Sequence, residues 1–119
     1  MAYSHAIIFK QSPFQNKSGQ DALELALTLA TFEQDVALFF KDAGVLQLVK
    51  NLNGQIAGRK TYTAAFKSLD LYDIEQVFVC ENSLAKFGLT EQDLIIPVSL
   101  INVQNWREQL GNHQRILTF

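Results

Sequence analysis

Charge is scarce in this 119-residue chain: Asp, Glu, Lys and Arg together make up 18% of it. Ten basic residues nearly balance twelve acidic ones, for a formal net charge of −2. Gripping a phosphate backbone takes a basic face, and the tightest basic cluster is the single pair Arg59-Lys60, so direct contact with nucleic acid is not expected. Cysteine is rarer still. Cys80 is the one thiol, which excludes an internal disulfide and fits a reducing compartment such as the cytosol. Apolar stretches are interrupted within a few residues, so no transmembrane helix is expected. The opening Met1-Ala2-Tyr3-Ser4-His5 has neither the charged lead nor the apolar run of a signal peptide. Proline occurs twice and no segment is of low complexity, so one domain spanning residues 1–119 is expected, with no linker.

What the chain has in quantity is apolar material, 48% of all residues, enough for a packed core. It is distributed as strand-like runs alternating with helix-like segments. Ala6-Ile7-Ile8-Phe9 reads as a short buried strand, and Val36-Ala37-Leu38-Phe39-Phe40 as a central parallel strand covered on both faces. Gln76–Val79 runs as a third strand straight into Cys80; Leu94–Leu100 reads as a fourth, with Pro97 marking an edge or bulge, and Arg115–Phe119 as a fifth. Between them, Asp42 is placed to cap a turn containing Val45, Leu46, Leu48 and Val49. Tyr62, Ala65, Phe66 and Leu69 have helical spacing, Asn82–Phe87 forms a short helix ended by a left-handed Gly88, and Val103, Trp106 and Leu110 line a last helix closed by Gly111. Strands separated by helices in this way imply crossover connections and a mostly parallel sheet of about five strands flanked by helices.

The segment from about Gln20 to Glu33, with Ser18 as its expected N-cap, is the most informative helix. Asp21, Glu24, Thr28 and Thr31 form one narrow polar stripe; nearly everything else is apolar. A helix lying on a sheet needs an apolar arc of only about 100°. The excess around Leu25, Leu29 and Phe32 is explained either by deep burial under a loop or by a partner subunit, and these three residues are the candidate interface.

Chemistry-bearing residues are few. Cys80 ends a strand and begins a helix, where ligands collect in open α/β sheets and where a thiolate is favoured. Glu81 opposes the thiolate, no base or resolving thiol lies nearby in sequence, and free cysteine packs as a small hydrophobe more often than it reacts. The inert reading is therefore preferred, with Cys80 kept as the one catalytic candidate. His5 and His113 have no spaced partners that would make a metal site, and no cofactor is implied. Gly54–Thr61 echoes a phosphate-binding loop, but Arg59 separates Gly58 from Lys60 and the loop follows a helix instead of a strand. Pro13–Gly19 leads into a helix start, with one glycine and no dinucleotide fingerprint. Asp70 and Asp73 flank Leu71-Tyr72 as turn and cap residues, not as a general acid/base pair.

Three segments resemble a known family. Phe39-Phe40-Lys41-Asp42-Ala43-Gly44-Val45-Leu46-Gln47-Leu48 is similar to the strand-turn-helix of DsrE/DsrF-like sulfur-transfer proteins. Leu71-Tyr72-Asp73-Ile74-Glu75-Gln76-Val77-Phe78-Val79-Cys80 resembles the corresponding run in their C-type (DsrF-like) branch, and the chain end Arg115-Ile116-Leu117-Thr118-Phe119 is similar as well. The resemblance implies a three-layer single-domain fold. It also implies a cytoplasmic subunit in a heterohexamer, a dimer of heterotrimers with B-type and D-type partners. That complex passes persulfide sulfur through a downstream carrier protein toward 2-thiolation of the tRNA wobble uridine. In the family the sulfur-bearing cysteine belongs to the D-type subunit, so the C-type chain is expected to be structural and not an enzyme by itself. Two alternatives stay open: an active sulfurtransferase component with Cys80 as transient persulfide carrier, and a DsrF-like subunit of a sulfur-oxidation complex.

Overall fold

The computed structural model describes residues 4–13, 16–50 and 62–119. Five strands form one sheet: β1 (Ser4–Phe9), β2 (Asp35–Phe40), β3 (Gln76–Cys80), β4 (Ser99–Ile101) and β5 (Arg115–Thr118), in the order β4-β3-β2-β1-β5. Every neighbouring pair is parallel. β2 lies at the centre with Val36 to Phe40 all buried, as a strand without polar alternation requires. The helices are α1 (Ser18–Thr31), α2 (Glu81–Lys86) and α3 (Val103–Leu110).

Alternate residues of the strands feed two cores. On one face Ile7, Phe9, Leu38, Phe40, Val77 and Val79 pack against Ala22, Leu23 and Ala26 of α1 and against Phe66 and Leu69. Phe9 and Phe40 stack at 4.5 Å, and Phe66 meets both edge-on at 5.7 and 5.6 Å. On the other face Ala6, Ile8, Ala37, Phe39, Phe78 and Ile101 pack beneath Trp106 of α3. Phe39 is the hub there, 4.9 Å from Phe78 and 5.2 Å from Trp106. Burying a phenylalanine fully stabilises by about 1.5–3 kcal/mol, so these rings account for much of the cohesion between layers.

Several local expectations are corrected. The 62–69 helix is a 3₁₀ segment, Thr63–Tyr72, and its buried residues Thr63, Phe66 and Leu69 fall at intervals of three, the period of that helix. Leu94–Leu100 is not one strand. Only Ser99–Ile101 pairs with β3, while Leu94 bridges to Val49 and the Ile95 N–H donates to the Leu48 carbonyl at 2.8 Å. The apolar run before Pro97 thus covers the core edge instead of extending the sheet. Lys17, not Ser18, occupies the N-cap of α1, and the Ser18 N–H donates to Asn16 Oδ1 at 2.8 Å. Asp42 makes no side-chain cap; it opens a 3₁₀ segment, Asp42–Leu48, with φ +51°. Gly88 takes the expected left-handed conformation, φ +68°, with the Leu89 and Gly88 amides bonded back to Leu84 and Ala85. Gly111 stays right-handed, φ −65°. The Gly54–Thr61 loop lies outside the described residues, as does part of Pro13–Gly19.

Candidate functional site

The carboxyl ends of the strands form one rim of the sheet. β2 runs into Lys41 and Asp42, β3 ends at Cys80, and β4 leads through Asn102 into α3. Asn102 caps α3 by accepting the Asn105 N–H at 2.9 Å, which fixes the start of the helix carrying Val103, Trp106 and Arg107. Between α2, α3 and the strand ends lies a cleft of about 440 Å³ lined by Lys41, Asp42, Cys80, Asn82, Ser83, Lys86, Val103, Trp106 and Arg107. Cys80 is half-buried in it. Three cations and one carboxylate line this space.

The amino ends of the strands carry the opposite charge. A cleft of about 550 Å³ is lined there by Glu33, Asp35, Asp73 and Glu75, with no Lys or Arg among its lining residues. His113 also lines it, between α3 and β5, with its ring edge-on to Phe39 at 5.8 Å. Burial lowers the His113 pKa below its ordinary value; Asp35 opposes that shift and His5 adds to it. His5 is buried within β1, 4% exposed, and the Nδ1 atoms of both histidines have no hydrogen-bond partner among the described residues. No group of three metal-ligating side chains forms among the described residues.

The candidate interface residues stand on one flank of α1 in graded exposure. Leu25 and Leu29 are half-buried against the core edge, whereas Phe32, one turn further, is 72% exposed. Leu71, at the end of the 3₁₀ segment beside α1, is 81% exposed. Sequence reasoning missed two features. Lys41, Lys86 and Arg107 each follow a different strand, so a basic residue recurring after successive strands was the available signal for the cationic rim. Gln47, fully buried, donates from Nε2 to the Gln11 carbonyl at 3.0 Å and accepts the Tyr62 hydroxyl; nothing in the sequence marked it.

A parallel five-stranded sheet with helices on both faces and a half-buried thiol on its carboxyl rim defines a small three-layer α/β domain. The DsrE/DsrF-like family model matches residues 4–119, and the chain belongs to that family. It is 35% identical over 116 residues to a Haemophilus influenzae protein named Protein TusC homolog, covering 96% of this chain and 98% of that one. Proteins of the same name from Aliivibrio fischeri and Vibrio parahaemolyticus are 33% and 32% identical over 112 residues, each covering 94% of this chain and 95% of the relative. Among solved structures, the YchN protein of E. coli superposes with a TM-score of 0.83 over the whole of both chains at 20% identity. A protein of unknown function from Methanobacterium thermoautotrophicum gives 0.68 over 97% of this chain and 98% of that one at 16% identity. Those two share the fold. No helix among the described residues is long and apolar enough to cross a membrane.

Proposed function

We propose that this chain is the C-type subunit of the TusBCD sulfur relay, where it holds the assembly together and leaves sulfur carriage to the D-type partner. The observation that carries the reading is the likeness, at 32–35% identity over nearly the full length, to three proteins named TusC homolog. In this reading the complex is a cytoplasmic heterohexamer, a dimer of heterotrimers with B-type and D-type subunits. It passes persulfide sulfur to a downstream carrier and so toward 2-thiolation of the wobble uridine, and the chain itself touches no tRNA. The exposed Phe32 and Leu71 support it, because obligate interfaces bury large apolar side chains that a monomer would leave in water. Co-expression with B- and D-type subunits tests the reading: the chain should elute with them as one complex. Elution as a separate monomer would contradict it.

A second reading is favoured by the position of Cys80 in the cationic cleft. As a transient carrier, its thiolate would attack the outer sulfur of a donor persulfide. A new S–S bond forms on Cys80 as the donor S–S bond breaks, and the electron pair leaves on the donor thiolate, which takes up a proton. Mass spectrometry after loading from a cysteine desulfurase distinguishes the two readings by the presence or absence of one added sulfur on Cys80. A DsrF-like role in sulfur oxidation would share the assembly and leave tRNA thiolation untouched.

A further inference from the structure

The protein is acidic overall, yet three of its ten Lys and Arg residues line the single cleft around Cys80. None of those three side chains is in a hydrogen bond or ion pair among the described residues. Asp42 is the one carboxylate lining the same space. Cations left unpaired in a concavity focus a positive potential into it, because the low-dielectric walls confine the field.

Ser83 adds a second, independent indication. Its side chain is 7% exposed and lines the cleft. Its oxygen accepts the Asp42 N–H at 2.9 Å, and no described group takes the hydroxyl proton. A buried hydroxyl that accepts one hydrogen bond still has its proton to donate, and a ligand that accepts a hydrogen bond would take it. The remaining wall is apolar, formed by Val103 and Trp106, and Cys80 contributes a thiol.

We propose that this cleft is a binding site for small organic anions that carry sulfur, such as carboxylate-bearing thiols and disulfides. Lys41, Lys86 and Arg107 supply the charge recognition, the Ser83 hydroxyl donates to the anion, Val103 and Trp106 cover its apolar body, and the sulfur lies against Cys80. With a disulfide as ligand, the Cys80 thiolate attacks one sulfur and forms a mixed disulfide. The original S–S bond breaks, the electron pair leaves on the departing thiolate, and the Cys80 proton goes to solvent. The Cys80 sulfur rises to the disulfide level as the departing sulfur falls to the thiolate level, so the exchange needs no outside oxidant or reductant. The proposal does not rest on the relay reading, and either can fail without the other.

Because Cys80 is the only cysteine in the chain, chromophore released from an aromatic disulfide reports this site alone. The full-length chain is reacted with the dianionic 5,5′-dithiobis(2-nitrobenzoate) and with the neutral 4,4′-dithiodipyridine, each rate being normalised to that of 2-mercaptoethanol. At low salt the dianionic reagent should be favoured on the order of tenfold, and the preference should shrink toward parity at about 0.5 M salt as charge is screened. Lys86→Gln with Arg107→Gln should bring the dianionic-to-neutral ratio most of the way to one; the loss of thiolate slows both reagents alike and cancels in that ratio. Ser83→Ala should lower the dianionic-to-neutral ratio. A normalised ratio near one at low salt, a ratio insensitive to salt or to the charge substitutions, or no reaction with either reagent would overturn the proposal. Should the variants fail to fold, the salt titration of the unaltered chain decides.

Discussion

The Asp42 amide donates to the Ser83 hydroxyl oxygen at 2.9 Å, joining the end of β2 to the first turn of α2 across 41 residues of chain. Asp42 itself takes a left-handed backbone conformation, φ +51°. This bond sets the spacing of two walls of the Cys80 cleft, since both residues line it.

Ser83→Ala leaves the part-buried Asp42 N–H without its acceptor. A lost hydrogen bond of this kind costs about 1 kcal/mol, more where the orphaned group stays dry. Urea unfolding should show a lower midpoint with an unchanged slope.

Gly44→Ala should be far costlier. A methyl group at position 44 would run into the backbone carbonyl of Phe9 and lie 2.9 Å from Lys10 Cα. Backbone atoms of a central parallel strand cannot yield as a flexible side chain can. A loss of about 3 kcal/mol, at the upper end for overpacking, is expected in chemical denaturation.

Phe32→Ser separates assembly from folding. Phe32 is exposed in the isolated chain, so its loss should change stability by no more than about 0.5 kcal/mol. Its affinity for the partner subunits should fall by at least about 1 kcal/mol, a fivefold or greater increase in Kd by calorimetry or biolayer interferometry. Leu25→Ala and Leu29→Ala should lower both stability and affinity, because these side chains also pack on the core edge.

His113 should make stability depend on pH. Its pKa in the fold is lowered by burial, so the unfolded chain binds the proton more readily than the native one. The stabilisation is therefore complete above the unfolded value of 6.5 and is lost as pH falls through the lowered native value. The urea midpoint should drop between about pH 7.5 and pH 5.5, and His113→Gln should flatten that drop.

The sheet was legible in the sequence because its centre is buried on both faces. Val36 to Phe40 is apolar without alternation, and that pattern fits few structures besides an interior parallel strand. The helix of residues 18–31 and the left-handed Gly88 were legible for similar local reasons. Leu94–Leu100 was misread because β-branched and leucine-rich runs pack equally well over a core edge as in a sheet. Only the long-range pairing of Leu94 with Val49 and Ile95 with Leu48 separates the two. The site was legible as one residue, Cys80, at a strand end. Its charged surroundings come from the end of β2, from α2 and from α3, and single basic residues spaced tens of positions apart signal a cluster only once the strand order places them on one rim.

The central claim is membership of a relay that ends in tRNA thiolation. It is tested most directly by mass-spectrometric quantification of wobble 2-thiouridine in a strain lacking this chain, with and without complementation. Loss of the modification in the deletion strain, with recovery by both the unaltered chain and Cys80→Ser, is the result the structural-subunit account predicts. Unchanged 2-thiouridine in the deletion strain would contradict it.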